Sequence, residues 1–200
     1  MAEIRGESPL APRAKLLAEA SVPDVLELGE IPFLTQVALR LDPEGAEAAR
    51  VGAALGAPLP LAPGTSVVAG DLLVLWMGPD EWLVMGEQGR APEVVSALTR
   101  SLEGEHGAVV DVSGQRTTLE VAGPRAEEFL NKGCPLDLHP FSFGPGRCAQ
   151  TLLARTEVAL LRRHGTTPVF WVLVRSSFAR HLAGWAADAA AEYGARDTLA

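Results

Sequence analysis

Phe33-Leu34-Thr35-Gln36-Val37-Ala38-Leu39-Arg40-Leu41-Asp42-Pro43-Glu44 changes its period partway along. As far as Leu41, Phe33, Thr35, Val37, Leu39 and Leu41 alternate with Leu34, Gln36, Ala38 and Arg40, which is a strand with one buried face. Asp42-Pro43-Glu44 then offers a capping carboxylate, a proline for the first helical position and an acid for the first turn. This helix is expected to end at Gly56, because Pro58, Pro60 and Pro63 forbid its continuation. Leu72–Met77 reads as a buried strand, Gly78-Pro79-Asp80-Glu81 as a turn and Trp82–Met85 as the returning partner. Pro92 opens a second helix with Val94, Val95, Leu98 and Leu102 on one stripe, and Ala108–Val112 is a further strand. The order βαββαβ is the split βαβ of a ferredoxin-like unit.

The second half reuses these parts. Thr117, Leu119 and Val121 face one way, and Arg116, Thr118 and Glu120 the other. Gly123-Pro124 leads into a short helix through Phe129 and Leu130, which Gly133 is expected to close in the left-handed conformation. Cys148–Ala154 and Val158–Arg162 form a hairpin around Arg155-Thr156, and Val169–Val174 is another strand. Phe178, Leu182, Trp185, Ala189 and Tyr193 recur at helical spacing before Gly194, the expected stop. The fold class is therefore α+β, in two packed ferredoxin-like split-βαβ lobes, residues 31–113 and 114–195. Residues 1–30 mix prolines with charges and read as an arm with a short helical piece around Ala14–Ala20; residues 196–200 are a tail.

Composition narrows the function classes. With 48% hydrophobic and 21% charged residues the chain is an ordinary globular protein. Its longest apolar runs, Leu72–Met77 and Val169–Val174, are far too short to span a membrane. No signal peptide is visible, and two cysteines suit a reducing compartment, so a cytoplasmic protein with free thiols is expected. A net charge of -8 argues against nucleic acid. The charge is uneven: residues 1–111 hold 17 acids and 7 bases, and 112–200 hold 8 acids and 10 bases. Between 147 and 187 the only acid is Glu157, against Arg147, Arg155, Arg162, Arg163, Arg175 and Arg180. This suggests either a solvated arginine-rich face or an oriented interface with a charged partner.

Lys132-Gly133-Cys134-Pro135-Leu136-Asp137-Leu138-His139-Pro140 places a thiol, a carboxylate and an imidazole within six residues of loop. A nucleophilic cysteine needs a base in reach, and a metal needs three or four ligands. Cys134 follows a helix C-terminus, whose dipole disfavours a thiolate, and Cys148 lies beyond a Gly/Pro loop. Scaffold or interface is thus favoured over catalysis or metal binding for this loop, and Arg155 joins it as an interface candidate. Asp111-Val112-Ser113-Gly114-Gln115-Arg116 marks a turn in which Asp111 bonds backbone amides or pairs with Arg116, fastening the lobes; ligand recognition is the alternative. His106, His164 and His181 are isolated, and no phosphate-cradling, GxSxG, HExxH or CxxC pattern occurs. On residues alone the chain lacks an active site and describes a subunit.

Several stretches, taken in order, resemble the gamma subunit of heterotetrameric sarcosine oxidase. They are Ser8-Pro9-Leu10, Pro32-Phe33-Leu34-Thr35-Gln36-Val37, Gly78-Pro79-Asp80-Glu81-Trp82-Leu83, Asp111-Val112-Ser113 with Arg116, the run from Leu130 to His139, Cys148-Ala149-Gln150-Thr151 and Arg175-Ser176-Ser177-Phe178-Ala179. The resemblance implies a truncated fold of the folate-barrel aminomethyltransferase type. It also implies alpha, beta and delta subunits as partners in oxidative demethylation of sarcosine to glycine. In that family FAD, FMN, NAD, tetrahydrofolate and zinc sit on the partner subunits, and this chain carries none and no amine chemistry. A tetrahydrofolate-binding or aminomethyltransferase-like module, with Asp111 or Asp137 meeting the pterin's donor edge, is the alternative. A free-standing tRNA-modification factor of the same fold is a third reading, which the acidic balance disfavours.

Overall fold

The computed structural model describes residues 6–195. In chain order these form α1 (Ala14–Ala20), β1 (Glu27–Ile31), β2 (Thr35–Leu41), α2 (Ala46–Leu55), β3 (Ser66–Ala69), β4 (Leu72–Gly78), β5 (Glu81–Gly86), α3 (Ala91–Leu102) and β6 (Gly107–Asp111). They continue as β7 (Arg116–Ala122), α4 (Ala126–Asn131), β8 (Cys148–Leu153), β9 (Thr156–Arg162), β10 (Val169–Arg175) and α5 (Ala179–Ala195).

Two antiparallel five-stranded sheets result, ordered β3-β4-β5-β2-β6 and β1-β7-β10-β9-β8. In the first, the alternation of β2 divides its side chains between two faces, and both are buried where the sequence reading expected one. Val37, Leu39, Leu41, Val74, Trp82 and Val84 turn to α2 and α3 and make one core. Ala38, Leu73, Leu75, Leu83 and Met85 turn the other way and meet Cys148, Ala159, Leu161 and Leu173 of the second sheet. The second sheet's opposite face, with Leu119, Val121, Leu160, Phe170 and Val172, is covered by α1, α4 and α5. The layers are helices, sheet, sheet, helices. Burying both faces of both sheets explains the near-continuous apolar runs in β4 and β10.

The two sheets share one plan. Each has an extra edge strand (β3 or β8), then strands in the spatial order of a split βαβ unit. The fourth position is filled by β6 in the first sheet and by β1 in the second, so the amino-terminal segment completes the carboxy-terminal lobe. This corrects the expectation of a separate arm over 1–30. Helix α1 occupies the expected Ala14–Ala20, but Leu10, Leu17 and Leu26 are fully buried in the second lobe's core. Glu30 accepts hydrogen bonds from Ser8 Oγ (2.6 Å), the Leu10 amide (3.2 Å) and Thr117 Oγ1, which explains Ser8-Pro9-Leu10 as a fastening. Gly123, at φ 117°, lets the segment close in: a Cβ there would lie 2.5 Å from the Val25 carbonyl oxygen. Glu27-Leu28-Gly29-Glu30-Ile31 hides as a strand because Leu28 is its one buried side chain and Glu30 is held by Ser8, Leu10 and Thr117.

Smaller differences have local causes. Helix α2 begins at Ala46 after a Gly45 cap, because Asp42 Oδ1 accepts from the Glu44 amide (3.0 Å) in a turn of its own. Gly56 ends it in the left-handed conformation, as read. Phe33 lies outside β2, in a turn at φ 57°. The short β3, between prolines and Gly70, escaped the sequence reading. The β8–β9 turn centres on Ala154-Arg155, not Arg155-Thr156; both residues have positive φ (50° and 63°). Gly133 is not left-handed; it is required because a Cβ would meet the Trp185 ring at 2.6 Å. Helix α5 runs through Gly194 to Ala195, and the expected tail, 196–200, lies outside the described residues.

If the amino-terminal segment is core, Leu26→Ala should lower the unfolding free energy by about 2–5 kcal/mol in a urea titration. A loss below about 0.5 kcal/mol would restore the arm.

Candidate functional site

The loop between α4 and β8 is fixed from beneath. Leu138 and Phe143 are buried, and Phe143 stacks on Phe170 with ring centres 6.5 Å apart. Arg162, itself buried, donates from Nη1 to the carbonyls of Phe143 (3.1 Å) and Leu138 (3.4 Å) and pairs with Glu127 Oε1 at 2.8 Å. Each acceptor satisfies a charge that burial would otherwise penalise. The Gly133 carbonyl accepts from the Ala154 amide (3.1 Å), tying the start of the loop to the β8–β9 turn. Arg155 is exposed on that turn, and His181 Nε2 lies 3.3 Å from the Ala154 carbonyl oxygen.

These constraints separate the three reactive groups read from the sequence. Cys134 is buried in the helix-side core, its amide bonded to the Leu130 carbonyl (2.9 Å). Asp137 and His139 are exposed. Asp137 accepts from Ser142 Oγ (2.6 Å) and from the His139 amide (3.0 Å), and these bonds hold its carboxyl below the usual carboxylate range. His139 Nδ1 accepts from the Phe141 amide (3.3 Å), and the two rings stack. The His139 and Asp137 groups thus shape a turn that presents Phe141, which is 97% exposed. Among the described residues no group of three His, Cys, Asp or Glu side chains could hold a metal ion.

Cys148 is also buried and free. Its thiol donates to the carbonyl oxygens of Thr65 (3.2 Å) and Trp76 (3.6 Å) in the first lobe, and burial pushes its pKa up to about 11. It belongs to a seam: the Cys148 amide donates to the Gly64 carbonyl (3.0 Å), the Ser66 amide to Gly146 (2.9 Å), and Gln150 Nε2 to Met77 (2.7 Å).

A second seam lies at the chain crossing. Asp111 does not pair with Arg116; its Oδ1 takes the Ser113 amide (3.0 Å) and hydroxyl (2.6 Å), which lower its pKa. Gln36, fully buried in β2, does the fastening instead. Its amide donates to Ser113 Oγ (3.0 Å), its carbonyl accepts from the Val112 amide (2.8 Å), and its Nε2 reaches the Arg116 carbonyl (3.0 Å). The sequence signal for Gln36 is a polar residue between Leu34 and Ala38 on one strand face, and that for Arg162 is an arginine closing the apolar run Val158–Leu161.

Two hollows flank β8. One, of about 540 Å³, runs between the lobes and is bordered by Asp137, Arg147 and Gln150. The other, of about 430 Å³, is bordered by Arg116, Pro135, Gln150, Thr151, Glu157 and Arg175. Asp111 borders neither, so of the two carboxylates offered as alternative pterin partners only Asp137 reaches one of these hollows.

Paired split-βαβ lobes packed face to face are shared with an aminomethyltransferase. The glycine cleavage system aminomethyltransferase T of Bartonella henselae superposes with a TM-score of 0.66 at 16% identity, over 86% of this chain and 48% of that one. The present chain is a truncated version of that architecture. A family model described as sarcosine oxidase, gamma subunit family matches residues 40–192, and the chain belongs to that family. It is 39% identical over 187 residues to sarcosine oxidase subunit gamma of Arthrobacter sp., covering 93% of this chain and 90% of that protein. A chain of heterotetrameric sarcosine oxidase from Corynebacterium sp. U-96, solved in complex with pyrrole 2-carboxylate, superposes with a TM-score of 0.86 at 38% identity, over 94% and 96% of the two chains.

With both thiols buried and Cys148 strongly disfavoured as a thiolate, the folded chain at pH 8 should show no fast-reacting thiol toward an aromatic disulfide reagent, and two after denaturation. A thiol that reacts at the free-cysteine rate in the folded chain would contradict this placement.

Proposed function

We propose that this chain is the gamma subunit of a heterotetrameric sarcosine oxidase and that it supplies shape, not reactive groups, to the assembly. One observation carries the reading: near-complete, two-way coverage of a chain of the Corynebacterium enzyme at a TM-score of 0.86. The partners are then alpha, beta and delta subunits. FAD, FMN, NAD, tetrahydrofolate and zinc belong to those subunits, and the oxidation of sarcosine to glycine takes place on them.

The local geometry supports a scaffolding role. Asp137 spends both carboxylate oxygens and Asp111 its Oδ1 on their own turns, His139 does the same with a ring nitrogen, and Cys134 faces the core. General acid–base work needs a group with a free lone pair or proton aimed at a substrate position. Here Asp137 and His139 stiffen a loop whose tip offers an exposed aromatic ring, the kind of residue that anchors interfaces. No helix among the described residues is long and apolar enough to cross a membrane.

The purified chain, alone, should consume no oxygen on addition of sarcosine, whether or not free flavin is supplied. Sustained, sarcosine-dependent uptake in an oxygen electrode would overturn the assignment of the chemistry to other subunits.

A further inference from the structure

We propose that Arg116 and Arg175 form a receptor for a carboxylate, filled in the assembled enzyme by an aspartate or glutamate side chain of an adjoining subunit. The inference rests on the gamma-subunit reading and adds a site to it.

Arg116 of β7 and Arg175 of β10 are directly paired across neighbouring antiparallel strands. They alternate with Thr117 and Val174, both buried, so both arginines project from the opposite, inter-sheet face. Like charges at such a position repel, and a fold tolerates them where something of opposite charge comes between. The chain provides it only in part: Glu81 acts on Arg116 through space without an ion pair, and Glu157 stands in the wall of the hollow. The Arg116 guanidinium makes no hydrogen bond or ion pair among the described residues, although it is half-buried and has five donors to satisfy. Arg175 has one long ion pair, 3.7 Å, to Glu157, whose side chain is mostly exposed. Burial, and then the neighbouring Arg175 charge, hold the Arg116 pKa below its ordinary value, and the more distant Glu81 carboxylate offsets them only in part.

The space beside the pair is a hollow of about 430 Å³, large enough for a side chain to enter. Thr151 and Gln150 add polar groups to its wall, and Leu152, 46% exposed on the free edge strand β8, adds an apolar rim. A planar carboxylate bridging two guanidinium forks meets the unmet donors and cancels the repulsion at once. An acidic side chain is favoured over a free small anion because the hollow lies beside the exposed edge strand β8, where Leu152 offers an apolar contact that a protein surface can use and a free anion cannot.

The test uses the full chain with the other three subunits of the enzyme. Arg116→Gln and Arg175→Gln should each weaken its association by about 30-fold or more, the effect of removing one partner of a desolvated charge pair. Arg175→Lys should recover only part of that loss, because a point charge cannot replace the fork. The melting temperature of the isolated variants should stay level or rise, since each removes one of two like charges. Should Arg116→Gln fail to fold, Arg175, exposed at a strand end, carries the test through its glutamine and lysine forms. Unchanged association of folded glutamine variants overturns the proposal while leaving the gamma-subunit reading intact. So does unchanged association together with stabilisation of the isolated chain by succinate that the variants lose, which would assign the pair to a small free anion. A wild-type chain that never joins the other subunits removes both readings.

Discussion

The chain passes between its two sheets twice, at residues 32–34 and 112–115, and the structure depends on those crossings lying side by side. Gln36 binds them together through backbone bonds to Val112 and Ser113 and a side-chain bond to the Arg116 carbonyl. Because the first crossing joins β1 directly to β2, one continuous stretch belongs to both sheets. The first lobe is one contiguous stretch, and the second is not. The second sheet takes its fourth strand from the amino terminus, and the first is tethered at both ends. A buried amide in such a position is costly if unpaired, and three of its four backbone and side-chain groups are satisfied. Gln36 Oε1 is left without a partner, which makes this clasp demanding of its geometry.

Around that clasp the inter-sheet space is filled chiefly by Leu75, Leu83, Leu161 and Leu173. Close packing of two sheets fixes the relation between lobes and, through Cys148 and Gln150, the position of the loop that precedes β8. The same rigidity engages groups that the sequence offered as reactive. Arg162, Asp137 and His139 all bond to the loop they sit in or beneath.

Periodicity carried much of the fold. The alternation from Thr35 to Leu41, the proline-opened helix at 91–102 and the stripe ending at Tyr193 each report a buried face that only one secondary structure satisfies. β1 was illegible for a physical reason: Glu30 is a strand residue whose charge is satisfied by Ser8, Leu10 and Thr117, partners distant in sequence. The candidate site was legible as a loop and as a set of residue types, but not as an arrangement. Spacing placed Cys134, Asp137 and His139 together; the core contact of Cys134 and the turn made by Asp137 sent them apart. The pairing of Arg116 with Arg175 lies 59 residues apart in sequence and needs the strand order to be seen.

A subunit that gives shape can lose its would-be reactive groups without losing the reaction. The direct measurement is kcat/KM for sarcosine in the four-subunit enzyme rebuilt with Cys134→Ser, Asp137→Asn and His139→Gln together in this chain. A value within a few fold of the unmodified enzyme is expected. A fall of about 10³ or more at full assembly, the scale of removing a catalytic group, would contradict the account.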